Sequence, residues 1–292
     1  MTKRGDTARD ARAVAIHRLN AGTNVALAGG KIAIGLLAGS PALVAHGLEN
    51  GTDLLNNLLA WIGHRVARVP ADEDHHFGHA NAEPLAACAI GLVILVGGVV
   101  VVYRAITGQG GAEPGSLGAF ALAAAVVSGL ACEGLSRVTY RAAAELESQV
   151  LAALARDKRA DALTSVVVCT AVGGSLLGVA WLEPLIAGLM GVWIAFLGAK
   201  SLLEGLDVLM GRVRDPHIRA ELEAIATGVG GVRGVQALRI QPLGSTWRVD
   251  LEISVDGSLS VARGHEIAHD VEDAITRERD RVVEVSVHVN PG

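Results

Sequence analysis

Long apolar runs recur along the first two thirds of the chain, and a short alternating run appears only near its end. The long runs cover about 15–37, 40–64, 84–107, 116–138, 160–182 and 184–208, each close to the ~20 residues that a bilayer-spanning helix needs. In a bilayer every backbone polar group must be satisfied inside its own segment, so such runs predict six transmembrane helices. "LAACAIGLVILVGGVVVVY" is the most uniform of them, whereas the second carries His46, Glu49, Asp53 and several asparagines. Past residue 211 the pattern changes. In "WRVDLEISV" the residues Trp247, Val249, Leu251, Ile253 and Val255 are apolar and their neighbours mostly polar, the period of a strand with one buried face. Helical periods before and after it, and a further alternating run at the end, give an order α-β-β-α-β. The expected architecture is an integral membrane α-helical domain over 1–211, followed by a cytoplasmic α+β domain over 212–292.

Composition agrees with a membrane protein: 51% of the residues are hydrophobic, 19% are charged and the mean hydropathy is +0.41. Basic residues sort by side. Lys3, Arg4, Arg9, Arg12 and Arg18 precede or open the first span, Arg65 and Arg68 follow the second, and Arg137, Arg141, Arg156, Lys158 and Arg159 fall between the fourth and fifth. The positive-inside rule then puts both termini in the cytoplasm of a multi-pass protein of the cell membrane. No short apolar core with a small-residue cleavage site marks a signal peptide. A net charge of -5 gives no footing for nucleic acid. Cys88, Cys132 and Cys169 fall in spans and share no metal or redox spacing, so they read as packing residues.

The polar residues inside the spans carry the chemistry. Asp157 and Asp161, in "LARDKRADALTSVVVC", stand four apart and share a helical face. Asp157 alone is accounted for by cytoplasmic water and Asp161 by helix capping. His46 and Asn50 on the second span repeat the spacing, with Glu49 and Asp53 nearby. An imidazole, an amide oxygen and two carboxylates make a four-ligand set whose charge balances a divalent cation. In the loop that follows, "VPADEDHHFGHANAE" gathers Asp72, His75, His76 and His79 into a second candidate metal site. Catalytic motifs are lacking: "GGK" at Gly29–Lys31 sits inside the first span without the spacing of a phosphate-binding loop, and no nucleophile motif accompanies it.

With these residues in hand, the chain resembles the cation diffusion facilitator family of metal exporters. "FGHANAE" is similar to the family's F-G-H-x-K-x-E signature, "DKRADALTSV" to its H-x-x-x-D-x-x-x-S signature, and the α-β-β-α-β segment to its ferredoxin-like dimerising domain. The resemblance implies a homodimer in the lipid bilayer that exchanges a divalent metal ion for protons. Its transport ligands, carried over by position, would be His46 and Asn50 with Asp157 and Asp161. Asp157 stands where zinc exporters carry His, which favours Mn²⁺ or Fe²⁺, while His46 pulls toward Fe²⁺, Co²⁺, Ni²⁺ or Zn²⁺. Asn81 replaces the signature's Lys and Gly211 replaces an acid beyond the sixth span, so the family's charge interlock is expected to be absent. The resemblance also implies a cytoplasmic metal site at Asp250, His265 and His288, with Gln236 and Asn290 where stronger ligands often stand. The reading is a metal efflux transporter, not an enzyme. Its rival is a membrane-embedded metal sensor or assembly scaffold with little or no transport.

Overall fold

The computed structural model describes residues 3–108, 116–146, 148–213 and 215–292. They form two compact units: residues 1–58 with 90–200, and residues 59–89 with 201–292.

Six long helices occupy the first two thirds of the chain: α1 (Lys3–Ala38), α2 (Pro41–Ala67), α3 (Ala82–Thr107), α4 (Ser116–Leu146), α5 (Gln149–Leu176) and α6 (Leu182–Leu209). Among the described residues, four helical segments are apolar and long enough to cross a membrane: Val14–Ala38, Ala82–Thr107, Leu117–Leu146 and Leu182–Leu209. α2 and α5 fall short in apolarity rather than length. Their 27 and 28 residues extend ~40 Å at 1.5 Å per residue, and they carry the polar side chains that the helical unit buries. The outward faces of α3 and α6 are apolar, with Val93, Val96, Leu189 and Trp193 all more than half exposed, as a lipid-facing surface requires.

α5 departs from the span predicted at 160–182. It begins at Gln149, where Ser148 caps it by accepting from the Leu151 N–H at 3.3 Å, and it ends at Leu176. Asp161 is therefore a mid-helix residue and not a cap. An apolar run marks where lipid begins, while the cap marks where the helix begins, and here the two are a dozen residues apart. Lys158, counted above among the cytoplasmic bases, is only 1% exposed.

Glycines set how closely the helices approach. A Cβ on Gly98 of α3 would lie 2.4 Å from the Ala195 backbone N of α6, and one on Gly198 of α6 would lie 2.3 Å from the Leu95 N of α3. Gly191 and Gly205 stand seven residues to either side of Gly198 and also face α3, so the two backbones meet along a row of small residues. The same device brings α1 to α2: a Cβ on Gly47 would lie 2.9 Å from the Ile32 N, and one on Gly35 2.9 Å from the Val44 N.

The last eighty residues fold as α7 (Ile218–Gly228), β1 (Gly234–Leu243), β2 (Thr246–Val255), α8 (Val261–Glu278) and β3 (Val282–Pro291), the α-β-β-α-β order read from the sequence. β1 and β2 form an antiparallel hairpin, closed at Gly244 with φ +60°, and β3 returns parallel to β2 after the α8 crossover. β2 is central, and its alternation is fully expressed: Trp247, Val249, Leu251, Ile253 and Val255 are buried beneath Leu222 of α7 and Ile267, Val271 and Ile275 of α8. The opposite face of the sheet carries Arg248, Asp250, Glu252, Glu284 and His288.

Replacing Gly198 by Ala pushes a methyl group into the backbone of α3, an overpacking of about 1–3 kcal/mol. The melting temperature of the detergent-purified protein is expected to fall. Gly97→Ala, which meets nothing within 4 Å, should leave it unchanged or higher, and equal effects from both would remove the close α3–α6 contact.

Candidate metal centre

Site residues from three helices meet inside the helical unit. The close α1–α2 approach seats Lys31 of α1 against α2, where its ammonium lies 3.0 Å from His46 Nε2 and donates to Asn50 Oδ1 at 2.5 Å. An ammonium has only protons to offer, so Nε2 of His46 is the acceptor, and its Nδ1 is buried without a hydrogen-bond partner. The Asn50 amide passes the chain on, donating from Nδ2 to Asp161 Oδ2 of α5 at 3.1 Å. Lys158, one turn before Asp161, donates to the same oxygen in a short contact. His46 and Asn50 are fully buried, Lys31 and Lys158 are 2% and 1% exposed, and Asp161 is 8% exposed.

Three of the four residues expected to ligate metal are thus brought together, yet the lone pairs that were to bind it are in use. His46 Nε2 and Asn50 Oδ1 both face Lys31. Asp157 is exposed and takes no part in the hydrogen-bonded chain, although it shares a face with Asp161.

Two further carboxylates of α2 lie beside Asp161. Glu49 and Asp53 of α2 interact electrostatically with each other and with Asp161, and Asp53 also with Asp157. Glu49 Oε2 is buried with no hydrogen-bond partner, which is costly unless something else comes to it. A signal for this pair was present in the sequence. Glu49 and Asp53 are four apart, the same interval as Asp157 and Asp161, so each helix offers two carboxylates on one face.

The loop between α2 and α3 holds a second centre. Asp72, His75 and His79 each offer a ligand atom, all within 4.8 Å of one another, the only such triple among the described residues. Asp72 Oδ1 accepts from the backbone N–H groups of His75 at 2.6 Å and Asp74 at 3.0 Å, and lies 3.1 Å from His75 Nδ1. His79 Nε2 is 3.4 Å from Asp72 Oδ2. Those hydrogen bonds, the His75 N–H first, hold the Asp72 carboxyl below the usual carboxylate range. It therefore stays an anion, ready to ligate, to lower pH than a free aspartate does. His76 turns away, its Nε2 3.0 Å from the Glu73 carbonyl oxygen. Within the same unit Arg248 of β2 covers the Phe77 ring at 4.8 Å, and a Cβ on Gly244 would meet the Ala80 carbonyl oxygen at 2.4 Å, so the loop rests against the β1–β2 hairpin.

The third candidate does not assemble in one chain. Asp250 and His288 lie on the open face of the sheet, whereas His265 lies on α8, which covers the other face. The sheet separates them because side chains alternate across it. Asp250 lies 3.4 Å from Arg248 Nε, His265 Nε2 lies 3.1 Å from His269 Nε2, and Asn290 donates to Gln236 Oε1 at 2.9 Å.

Comparison with known proteins agrees with this arrangement of two domains. Residues 18–210 match the family model of the cation efflux transmembrane domain, and residues 215–292 match that of the cytoplasmic domain of cation efflux proteins. The uncharacterized transporter YdbO of Bacillus subtilis is 34% identical over 290 residues, covering 94% of this chain and 93% of that one. The manganese efflux system protein MneP of the same organism is 29% identical over 279 residues, covering 92% of each chain. Metal tolerance protein 2 of Oryza sativa is 29% identical over 300 residues, covering 94% of this chain and 77% of that one. A transmembrane helical domain and a cytoplasmic three-stranded domain, each matched by its own model, place the chain in the cation diffusion facilitator family of cation efflux proteins.

Proposed function

We propose that this metal cation efflux transporter moves Mn²⁺ or Fe²⁺ out of the cytoplasm in exchange for protons, as a homodimer with both termini cytoplasmic. The ion is held between α2 and α5 by Glu49, Asp53, Asp157 and Asp161. The observation that carries this ligand set is the buried Glu49 Oε2 without a hydrogen-bond partner, on a carboxylate that interacts electrostatically with Asp53 and Asp161, while Asp53 interacts with Asp157. A divalent cation satisfies that oxygen and relieves the mutual repulsion of the four acids. Oxygen ligands suit harder cations better than Zn²⁺, Co²⁺ or Ni²⁺, and the relative MneP is a manganese efflux protein by name. His46 and Asn50 act by holding Lys31 rather than by touching the ion.

Asp72, His75 and His79 hold a second ion that stays with the protein, since the loop that carries them rests on the hairpin. Asp250 and His288 contribute to metal binding in the cytoplasmic domain only if a partner subunit supplies further ligands. That separation weakens the reading of the protein as a sensor that works through an Asp250, His265 and His288 centre.

Transport into proteoliposomes tests the first site. Glu49→Gln and Asp161→Asn should each reduce Mn²⁺ uptake at least a hundredfold while the protein stays folded. His46→Gln keeps an acceptor for Lys31 and should retain uptake within about threefold. Uptake surviving Glu49→Gln but lost in His46→Gln would return the ligand role to His46.

Titration calorimetry tests the loop. Asp72→Ala or His79→Ala should remove one bound metal ion per chain and leave the transport site loaded. Because protons compete with a metal ion for the lone pairs of its ligands, the loop ion should leave on acidification. Asp72, whose folded value is depressed, keeps its contribution above the ordinary carboxylate range and loses it only as pH falls through the lowered value.

A further inference from the structure

Two ammonium groups buried within membrane-spanning helices need an explanation that the ligand set alone does not supply. Lys31 and Lys158 are among the least exposed residues of the protein, at 2% and 1%. Isolated, such charges are expensive in a bilayer and persist only where paired. Each is paired here toward the same carboxylate: Lys158 donates directly to Asp161 Oδ2, and Lys31 reaches that oxygen through the Asn50 amide, which lies 3.1 Å from it. Lys31 also interacts electrostatically with Glu49, and Lys158 with Asp53.

Charge counting gives the arrangement a purpose. Glu49, Asp53, Asp157 and Asp161 bring four negative charges, more than one divalent ion neutralises. The two lysines leave two of them uncompensated, which is the charge of one such ion. We propose that Lys31 and Lys158 are internal counter-ions of the transport site, and that the Lys158 ammonium occupies the Asp161 oxygen that the incoming metal ion takes over. The inference rests on the ligand set proposed above. Without metal, the ammonium keeps Asp161 from being an unpaired charge in a medium where that is severely unfavourable. With metal, the lysines repel the ion and bring the loaded site close to neutrality, so binding is weakened to a degree that permits release. His46 and Asn50 are positioning residues in this scheme, since they fix the Lys31 ammonium without contacting the ion.

Removal of one ammonium therefore has a direction that a structural role does not share. Lys158→Met should bind Mn²⁺ at least tenfold more tightly by calorimetry on the detergent-purified protein, while turnover in proteoliposomes falls at least tenfold. Lys31→Met should shift both in the same direction, and Lys158→Arg, which keeps the charge, should stay within about threefold of the unaltered affinity. Unchanged or weaker binding in a folded Lys158→Met protein overturns the counter-ion role. Should both methionine variants fail to fold, the unaltered protein decides. Its Lys158 side-chain ¹⁵N resonance, assigned with Lys158→Arg, should move on saturation with diamagnetic Cd²⁺, and a resonance that does not move overturns the proposal. Asp161→Asn separates the two levels. If it still binds and transports Mn²⁺, the ligand set itself is wrong; if it does not, while Lys158→Met leaves affinity unaltered, only the counter-ion inference fails.

Discussion

A carboxylate at Asp161, in the middle of a membrane helix, has to be met by positive charge, and the helical unit is arranged around meeting it. Lys158 does so from within α5, one turn earlier, and Lys31 does so from α1 through the Asn50 amide. Each link draws in another residue. The Lys31 ammonium has further protons to place, and His46 accepts one of them at 3.0 Å. Breaking any member strands its neighbours in a low-dielectric interior, so the chain of contacts is worth more as a unit than as separate pairs.

Such a network demands short distances between helices, and lipid supplies little force to bring helices together. Small residues substitute for that force by letting backbones touch. Gly47 and Gly35 bring α1 and α2 near enough for Lys31 and Asn50 to bond across the contact, and Gly98 and Gly198 let the backbones of α3 and α6 approach closely. Between α4 and α5 a Cβ on Gly129 would meet the Ser165 Cβ at 3.0 Å, while Ser136 donates to the Ala155 carbonyl oxygen at 2.8 Å. Close contact is thus the common condition of packing and of chemistry in this unit.

The second unit works by the opposite physics. Its core forms because water expels Trp247, Val249, Leu251, Ile253 and Val255 from one face of β2, with two helices laid over them. Its Asp72–His75–His79 cluster is largely exposed and gathered by a short turn, in which the Asp72 carboxylate accepts from the backbone N–H groups of Asp74 and His75. This cluster faces solvent, whereas Asp161 of the helical unit is buried among its helices.

How far the sequence carries follows from the range of the forces. The spans, the α-β-β-α-β order and the Asp72–His79 cluster are written in local patterns: hydrophobic length, period two, and an acid and histidines close together in one loop. Each is decided by neighbours along the chain, and each is legible there. The start of α5 is not legible in the same way, because an apolar run reports contact with lipid, not the cap at Ser148. Asp250, His265 and His288 look like one site on paper, yet a sheet lies between them. The partners of the buried acids are likewise decided far away in sequence: Lys31 stands 19 residues from Asn50, and Asn50 stands 111 from Asp161. By itself the sequence determined that acids and bases share the membrane. Only the tertiary structure decided that Lys31 takes the lone pairs of His46 and Asn50 and leaves Glu49 Oε2 free, because helix crossing sets which charges meet in a medium where few can stand alone.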